Sequence, residues 1–291
     1  MNADGRARVE AMLGEVRPAL HRYCARLTGS VFDGEDVVQD VVVRALAAAD
    51  GLDADVPLRP WLFRIAHNRA LDHLRRQAVR RGEPIEAALD VAGEDDPDEA
   101  LLRREAVDTA VSRFVRVPVV QRSAVILKDV LGHSLQEIAD LLDLSVDAVK
   151  AVLSRGRAKL RAINAAPPEP RVARAASAEG ARFAALFNGR DWDALRALLA
   201  EDVRLVQATH PERNGSRDVG HFFTIYAGIP EVRLAPAHLA DGSEVIAVFT
   251  HHPAQAAYFM RIDWRGGEIA AIRDYRYAGY ILEGAGLVLA E

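Results

Sequence analysis

The sequence is short of the features that staple or anchor a protein. Among 291 residues there is one cysteine, Cys24, which excludes an internal disulfide and makes a reducing compartment the expectation. No apolar run approaches the ~18 residues that cross a bilayer, so no membrane partner is expected. The opening stretch, MNADGRARVEAMLGEVRPAL, lacks the apolar core of a secretory signal. Together these features lead to the expectation of a cytoplasmic protein. Positive charge is also scarce overall, with 37 Lys and Arg against 42 Asp and Glu and a net charge of −5. That excludes a chain-wide basic footprint, so any nucleic-acid partner must be met by local charge. No internal repeat is present, and the length suits two or three small domains.

Charge is concentrated instead. Residues 60–81, PWLFRIAHNRALDHLRRQAVRR, hold six arginines and one acid. As a helix, this stretch places Leu62, Ala66, Ala70 and Leu74 on the side that packs. Arg64, Asn68 and Arg75 fall together on another side, and Arg69, Arg76, Arg80 and Arg81 add charge around them. An amide set between guanidiniums suits the reading of an exposed base while the cations hold phosphate. Trp61 and Phe63 can stack on bases or pack in the core, and the core is the stronger reading for Trp61. Upstream, EDVVQDVVVRAL is an amphipathic helix with Glu35, Asp36, Gln39 and Asp40 exposed early. An acidic helix face beside a basic one suits a protein partner beside a nucleic-acid partner, although from physics alone plain solvent exposure is the favoured reading.

Residues 82–100 contain eight acids and no Lys or Arg, punctuated by Pro84, Gly93 and Pro97. They read as an acidic linker, taken as 82–104. Beyond it the sharpest local signal is SLQEIADLLDLSVDAVKAVLSRGRAKLRAI. Ser134 with Glu137 forms a capping box, Asp143-Leu144 a tight turn, and Ser145 the cap of a second helix. Two short helices joined in this way make a helix-turn-helix. Its second helix would enter a major groove, with Asp147, Ala148, Lys150, Ala151 and Ser154 near base edges. Arg155, Arg157, Lys159 and Arg161 would mainly hold phosphate. The alternative is a solvated basic face on an ordinary helix hairpin.

The stretches EDVVQDVVVRAL…PLRPWLFRIAHNRALDHLRR and VPVVQRSAVILKDVLGHSLQEIADLLDLSVDAVKAVLSRGRAKLR resemble regions two and four of the extracytoplasmic-function sigma factors of bacterial RNA polymerase. The resemblance spans roughly residues 6–165. It implies that Asp36, Gln39 and Asp40 face the polymerase and that Asn68 lies near a flipped minus-ten base, with Trp61, Arg64, Arg75 and Arg76 beside it. It further implies that Lys150, Ser154 and Arg157 belong to the helix that reads the minus-thirty-five element. Two departures, Asp147-Ala148 where the family commonly has Gly-Thr and His67 where arginine is frequent, leave the promoter sequence open but not the role. The acidic linker would then thread toward channels built for polyanions, with a solubilising spacer as the alternative.

After a second linker, taken as 166–175, the pattern changes. GARFAALFNGRDWDALRALLAEDV reads as two helices broken at Asn188-Gly189. EVIAVFT, QAAYFMRIDW and EIAAIRDYRY read as antiparallel strands, with turns at Asp241-Gly242 and Gly266-Gly267. This part resembles the SnoaL-like α+β cone, which usually holds a pocket. Tyr226, His251, Tyr258, Asp263 and Asp274 are the candidate pocket residues. Catalysis would need an acid/base pair with a shared buried position and a shifted pKa, and the sequence shows neither. His251 and His252 are adjacent, so on a strand they would face opposite ways, which argues against a shared metal site. The apolar tail, with Ile281, Leu282, Leu287 and Val288, must be buried somewhere.

The expected architecture is multidomain, with two all-α helical domains followed by an α+β cone. Region two is taken as 6–81, region four as 105–165 and the cone as 176–291. The expected function is that of a sigma factor that binds core RNA polymerase and promoter DNA, without enzymatic activity, cofactor or metal. The cone would regulate it in cis, and an anti-sigma factor or a small ligand is a further candidate partner. The rivals are a helix-turn-helix regulator independent of polymerase and a bifunctional protein with an enzymatic cone.

Overall fold

The computed structural model describes residues 3–81, 106–107, 109–165, 174–208, 210–252 and 254–291. The acidic linker expected at 82–104, and most of the second linker, lie outside these residues. The chain divides into two compact units, residues 1–169 and 170–291.

The first unit is helical. Helix α1 (Ala3–Thr28) and helix α2 (Val31–Ala48) are separated by a turn at Gly29, whose φ of 84° L side chains rarely adopt. Ser30 caps α2 by accepting a hydrogen bond from the Asp33 amide. Helix α3 (Leu58–Arg81) completes a three-helix packing. Val9, Leu13, Val16 and Leu20 of α1 are buried at helical spacing, as are Val37, Val38, Val41 and Ala45 of α2. On α3 the expected line is buried at Leu62, Ala66 and Ala70, and Leu74 packs against it half-buried.

A 3-10 turn (Val111–Arg116) leads into helix α4 (Val119–Val125), which widens into a π turn at Ile126–Val130. Helices α5 (Leu135–Leu142) and α6 (Val146–Ala165) follow. The capping box at Ser134 and Glu137 is formed, and Asp143 takes the left-handed conformation in the tight turn, with φ of 57°. Ser145 accepts the Ala148 amide at 3.1 Å and starts α6. Gly156 lets α6 approach α4, since a Cβ there would lie 2.7 Å from a Val125 methyl. One continuous apolar core runs from Val9 to Ile163, so the helix-turn-helix segment packs on the three-helix segment and does not stand apart from it.

The second unit is a seven-stranded sheet with helices packed against it. Helices α7 (Ala178–Asn188) and α8 (Trp192–Arg196) meet at a sharp turn, and helix α9 (Ser216–Ala227) lies between strands. The strands are β1 (Leu199–Gln207), β2 (Arg213–Asn214), β3 (Arg233–His238), β4 (Glu244–Phe249), β5 (Tyr258–Arg265), β6 (Glu268–Asp274) and β7 (Val288–Leu289). Their order is β2-β1-β6-β5-β4-β3-β7, antiparallel except for β1 beside β6. Both residues of the Gly266-Gly267 turn have positive φ, the requirement of a tight hairpin that keeps the strand twist. Phe183, Phe187, Phe222, Phe223 and Tyr226 fill the space between helices and sheet. The tail is accommodated within this unit, because Ile281 is fully buried and β7 pairs with β3. No helix among the described residues is long and apolar enough to cross a membrane.

Candidate nucleic-acid interface

Helix α3 presents the first candidate surface. Asn68 is exposed and makes no side-chain hydrogen bond among the described residues. One turn earlier Arg64 is also exposed, but its Nη2 donates to the main-chain oxygen of Asp140 on α5. Asp72 gathers the other cations of the face. It accepts from Arg69 and, at 3.3 Å, from Arg75 Nη1, and its main-chain oxygen accepts Arg76 Nε at 3.1 Å. Arg75 and Arg76 nevertheless remain exposed. Trp61 is half-buried and packs against the core. Phe63 is wholly buried, with its ring edge-on to Tyr23 at 6.0 Å and to His133 at 5.1 Å, so it is a core residue and not a stacking platform.

His67, the residue at the departure from the family pattern, stands under this face. Its Nδ1 meets the Tyr23 hydroxyl at 2.7 Å. Burial, assisted by the nearby Arg75 cation, lowers its pKa to about 4. The ring is therefore neutral at physiological pH and adds no charge for phosphate.

On α2, Asp36 and Asp40 are exposed as expected, whereas Glu35 is not. Glu35 is buried in an ion pair with Arg17 at 2.6 Å, and Gln39 Nε2 donates to the same carboxylate at 3.0 Å. The helical wheel put Glu35 on the acidic face because it carries no sign of Arg17, which reaches over from α1. The exposed part of that face is Asp36 and Asp40.

On α6, Asp147 and Lys150 are exposed and lie 3.3 Å apart, one turn into the helix. Arg161 is exposed, and Ser154 is half-buried. Arg155 is half-buried, with its Nε and Nη1 lacking a partner among the described residues. Arg157 departs from the phosphate contact expected of it. Its guanidinium makes a two-point ion pair with Asp129 in the π turn, at 3.0 and 2.6 Å, with the two side chains only 11% and 4% exposed. The clue was present in VILKDVLG, where an acid inside an apolar run must find a buried cation.

In the second unit the structure divides the five candidate pocket residues. Tyr226, Tyr258 and Asp274 are buried together. The two hydroxyls lie 2.6 Å apart, and Tyr226 donates to Asp274 Oδ2 at 3.4 Å. Gln207, which sequence reading missed, donates to the same oxygen at 2.7 Å, and the Arg276 amide donates to Oδ1 at 3.2 Å. Gln207 reaches Asp274 because β1 runs parallel to β6 with these two residues in register, a pairing no local pattern announces. Burial raises the Asp274 pKa to about 6 despite these donors, and it pushes both tyrosines well above their usual value. His251 instead lies exposed in the loop between β4 and β5. Asp263 projects from the sheet face opposite Tyr258 and pairs with Arg261 at 3.1 Å. Neither joins the cluster. Among the described residues no group of three His, Cys, Asp or Glu side chains is arranged to hold a metal ion.

Comparison with known proteins accounts for both halves. The model of sigma-70 region 2 matches residues 12–80, that of sigma-70 region 4 matches 114–160, and that of the SnoaL-like domain matches 181–279. The ECF RNA polymerase sigma factor SigG of Mycobacterium tuberculosis is 31% identical over 214 residues, covering 64% of this chain and 58% of SigG. The chain thus spans a little over half the length of that relative. SigM, an ECF sigma factor of the same organism, is 34% identical over 145 residues, covering 48% of this chain and 69% of SigM. Among solved structures, the extracytoplasmic-function sigma factor SigJ of M. tuberculosis aligns with 92% of this chain and 98% of its own, at 22% identity and a TM-score of 0.36. The chain belongs to the extracytoplasmic-function sigma factors of RNA polymerase and carries a SnoaL-like domain at its C-terminal end.

Proposed function

We propose that the chain directs core RNA polymerase to promoters, opening the minus-ten element with α3 and reading the minus-thirty-five element with α6. The main support is the occurrence of the two sigma-70 matches in this order in one chain, together with an exposed, uncommitted amide at Asn68 among arginines. Asn68 reads a base, and Trp61, Arg64, Arg75 and Arg76 hold the melted strand around it. Lys150, Asp147 and Ser154 select sequence on α6, while Arg155 and Arg161 hold phosphate. Arg157 supports this surface from behind through Asp129. Asp36 and Asp40 carry the contact with polymerase, and Gln39 sets the Glu35 side chain beside them. The acidic stretch 82–104 occupies polyanion channels of the enzyme.

The cone restrains the sigma half in cis. The linker at 166–175 is short enough to keep the cone at high effective concentration, so even a weak contact would be well populated. Run-off transcription with core polymerase tests both statements, using the full chain and a chain ending at Ala166. The full chain supports promoter-specific transcription, and the truncated one binds core more tightly and gives higher basal transcription. A full chain that yields no specific transcript defeats the sigma reading. A folded truncation that transcribes less defeats the inhibitory role of the cone.

A further inference from the structure

The sheet of the second unit turns apolar residues toward its helices and arginines the other way. Val203, Leu205, Met260 and Ile272 belong to the core. Arg204, Val206, Arg261 and Arg273 alternate with them and point to the opposite face. The register sets these residues side by side. Arg261 of β5 stands directly opposite Arg273 of β6, and Arg273 pairs in turn with Val206 of β1, two residues from Arg204. Asp263 shares the face and pairs with Arg261 at 3.1 Å, and Asp202 at its far end pairs with Arg265. Arg204 is exposed and makes no side-chain hydrogen bond among the described residues. Like charges placed opposite each other on a sheet repel, and an anion laid across them relieves the repulsion.

A ring pair lies at one end of this row. Because β1 and β6 run parallel, their C-terminal ends emerge at the same edge. Tyr277 follows β6 there and is 47% exposed. The exposed His210 follows β1 and stacks on it, with centroids 4.2 Å apart and an interplanar angle of 22°. The half-buried Arg276 lies 5.9 Å from the Tyr277 centroid and 5.5 Å from that of Tyr226, without a side-chain hydrogen bond among the described residues. Val206, 37% exposed, separates Arg204 from this end of β1. Cations in a row beside exposed rings suit a single strand, with phosphates on the guanidiniums and bases on the rings. A duplex keeps its bases stacked inside and would use the cations alone. A second copy of the same face would set arginine against arginine. We propose that this face of the cone holds single-stranded DNA. Arg204 and Arg273 take phosphates, Tyr277 and His210 stack on a base, and Val206 packs on a thymine methyl, which uracil lacks. A melted promoter strand is the single strand within reach, and on that point alone the inference rests on the sigma reading.

The test uses the full chain without polymerase, titrated with labelled oligothymidylate. The same oligonucleotide carrying 4-thiothymidine is photo-cross-linked, and the attached peptides are mapped by mass spectrometry. Cross-links are expected on peptides that carry His210 or Tyr277. Helix α3 is a second candidate for this probe, so the cone variants are made in a chain that already carries Arg75→Gln and Arg76→Gln. There Arg204→Gln with Tyr277→Ala lowers affinity by about fivefold or more, and Arg204→Gln alone reduces the salt slope by about 0.7. Tyr277→Phe keeps the ring and keeps the affinity. Cross-links confined to residues 1–169 overturn the proposal. So does a folded Arg204→Gln/Tyr277→Ala chain that binds undiminished. Duplex DNA bound as tightly, or polyglutamate that displaces the probe as well as unlabelled oligothymidylate does, reduces the face to a patch for any polyanion and overturns it too. Oligouridylate bound as tightly overturns the choice of DNA. Cone cross-links in a chain that yields no run-off transcript support the surface and defeat the sigma reading instead.

Discussion

The two units solve the problem of buried polarity in opposite ways. The helical unit buries cations: Arg122 and Arg26 against main-chain carbonyls, Arg157 against Asp129, and Arg17 against Glu35. The cone buries an acid among hydroxyls and an amide. Backbone geometry explains the difference. Packed helices end in carbonyls that have no intrahelical donor, and a guanidinium can serve several at once. A sheet satisfies its backbone laterally, so a polar side chain inside the cone must pair with other side chains. The helical unit is thus sensitive to loss of a cation, and the cone to gain of a negative charge.

The largest expected effect breaks the helical side of this contrast. Arg157→Met leaves Asp129 buried and unpaired and should destabilise the helical unit by about 3–5 kcal/mol. Adding Asp129→Leu should recover much of that loss, because an apolar pair of similar volume removes the stranded charge. Urea unfolding followed through Trp61, with Trp192 and Trp264 replaced by phenylalanine, reads this unit alone. Little loss in Arg157→Met would mean that the pair does not form in solution.

Titration sharpens the contrast next, because the two units respond with opposite sign. Burial lowers the His67 pKa from 6.5 to about 4. Between those values the unfolded chain binds a proton that the folded chain refuses, so stability falls as pH drops, by at most about 3 kcal/mol. Burial also lowers the His133 pKa, in the same direction. Asp274 is raised from 3.8 to about 6. There the folded chain keeps a proton that the unfolded chain releases, so the cone loses stability as pH rises through that window, by at most about 3 kcal/mol. Unfolding of the cone from pH 4 to 8, followed through Trp192 and Trp264, checks this. Asp274→Asn should flatten the cone's dependence, and His67→Gln should reduce that of the helical unit. If Asp274→Asn leaves the cone's slope unchanged, its carboxyl is not the source.

Much of this arrangement is legible in the sequence where the information is local. The capping box at Ser134, the left-handed turn at Asp143, the break after Asn188 and the Gly266-Gly267 hairpin follow from neighbouring residues alone. What is not legible depends on partners distant in the chain. Glu35 looks exposed until Arg17 is placed over it, and Arg157 looks free until Asp129 faces it. Gln207 joins Asp274 only through the parallel pairing of β1 with β6. Periodicity finds the face of a helix, but it cannot tell which charged residue on that face has a buried counterpart.

The exposed amide of α3 offers a smaller effect. Asn68→Ala should leave the stability of the helical unit within experimental error, since the side chain makes no bond among the described residues. If the amide reads one base, open-complex formation should weaken by about 1–3 kcal/mol at matched promoters and less at promoters altered at the contacted base. Permanganate footprinting of wild type and variant on both promoters measures this. An equal loss on both promoters would reduce Asn68 to a phosphate or packing contact.

The smallest effect on stability is expected at Lys150. Its ion pair with Asp147 is exposed at both ends, with side chains 53% and 92% accessible. Such a pair is screened by water and salt, so Lys150→Ala should change unfolding by no more than about 0.5 kcal/mol. The contrast with Arg157, two turns along the same helix, is then one of environment: both are cations on α6, but only one is buried against its acid. Binding should separate them in the reverse sense. Lys150→Ala should alter the ranking of minus-thirty-five sequences in a competition assay, whereas Arg161→Ala should weaken all sequences alike and lower the salt dependence. If Lys150→Ala weakens every sequence equally and also lowers the salt dependence, then Lys150 holds phosphate and the base reading of α6 falls to Asp147 and Ser154.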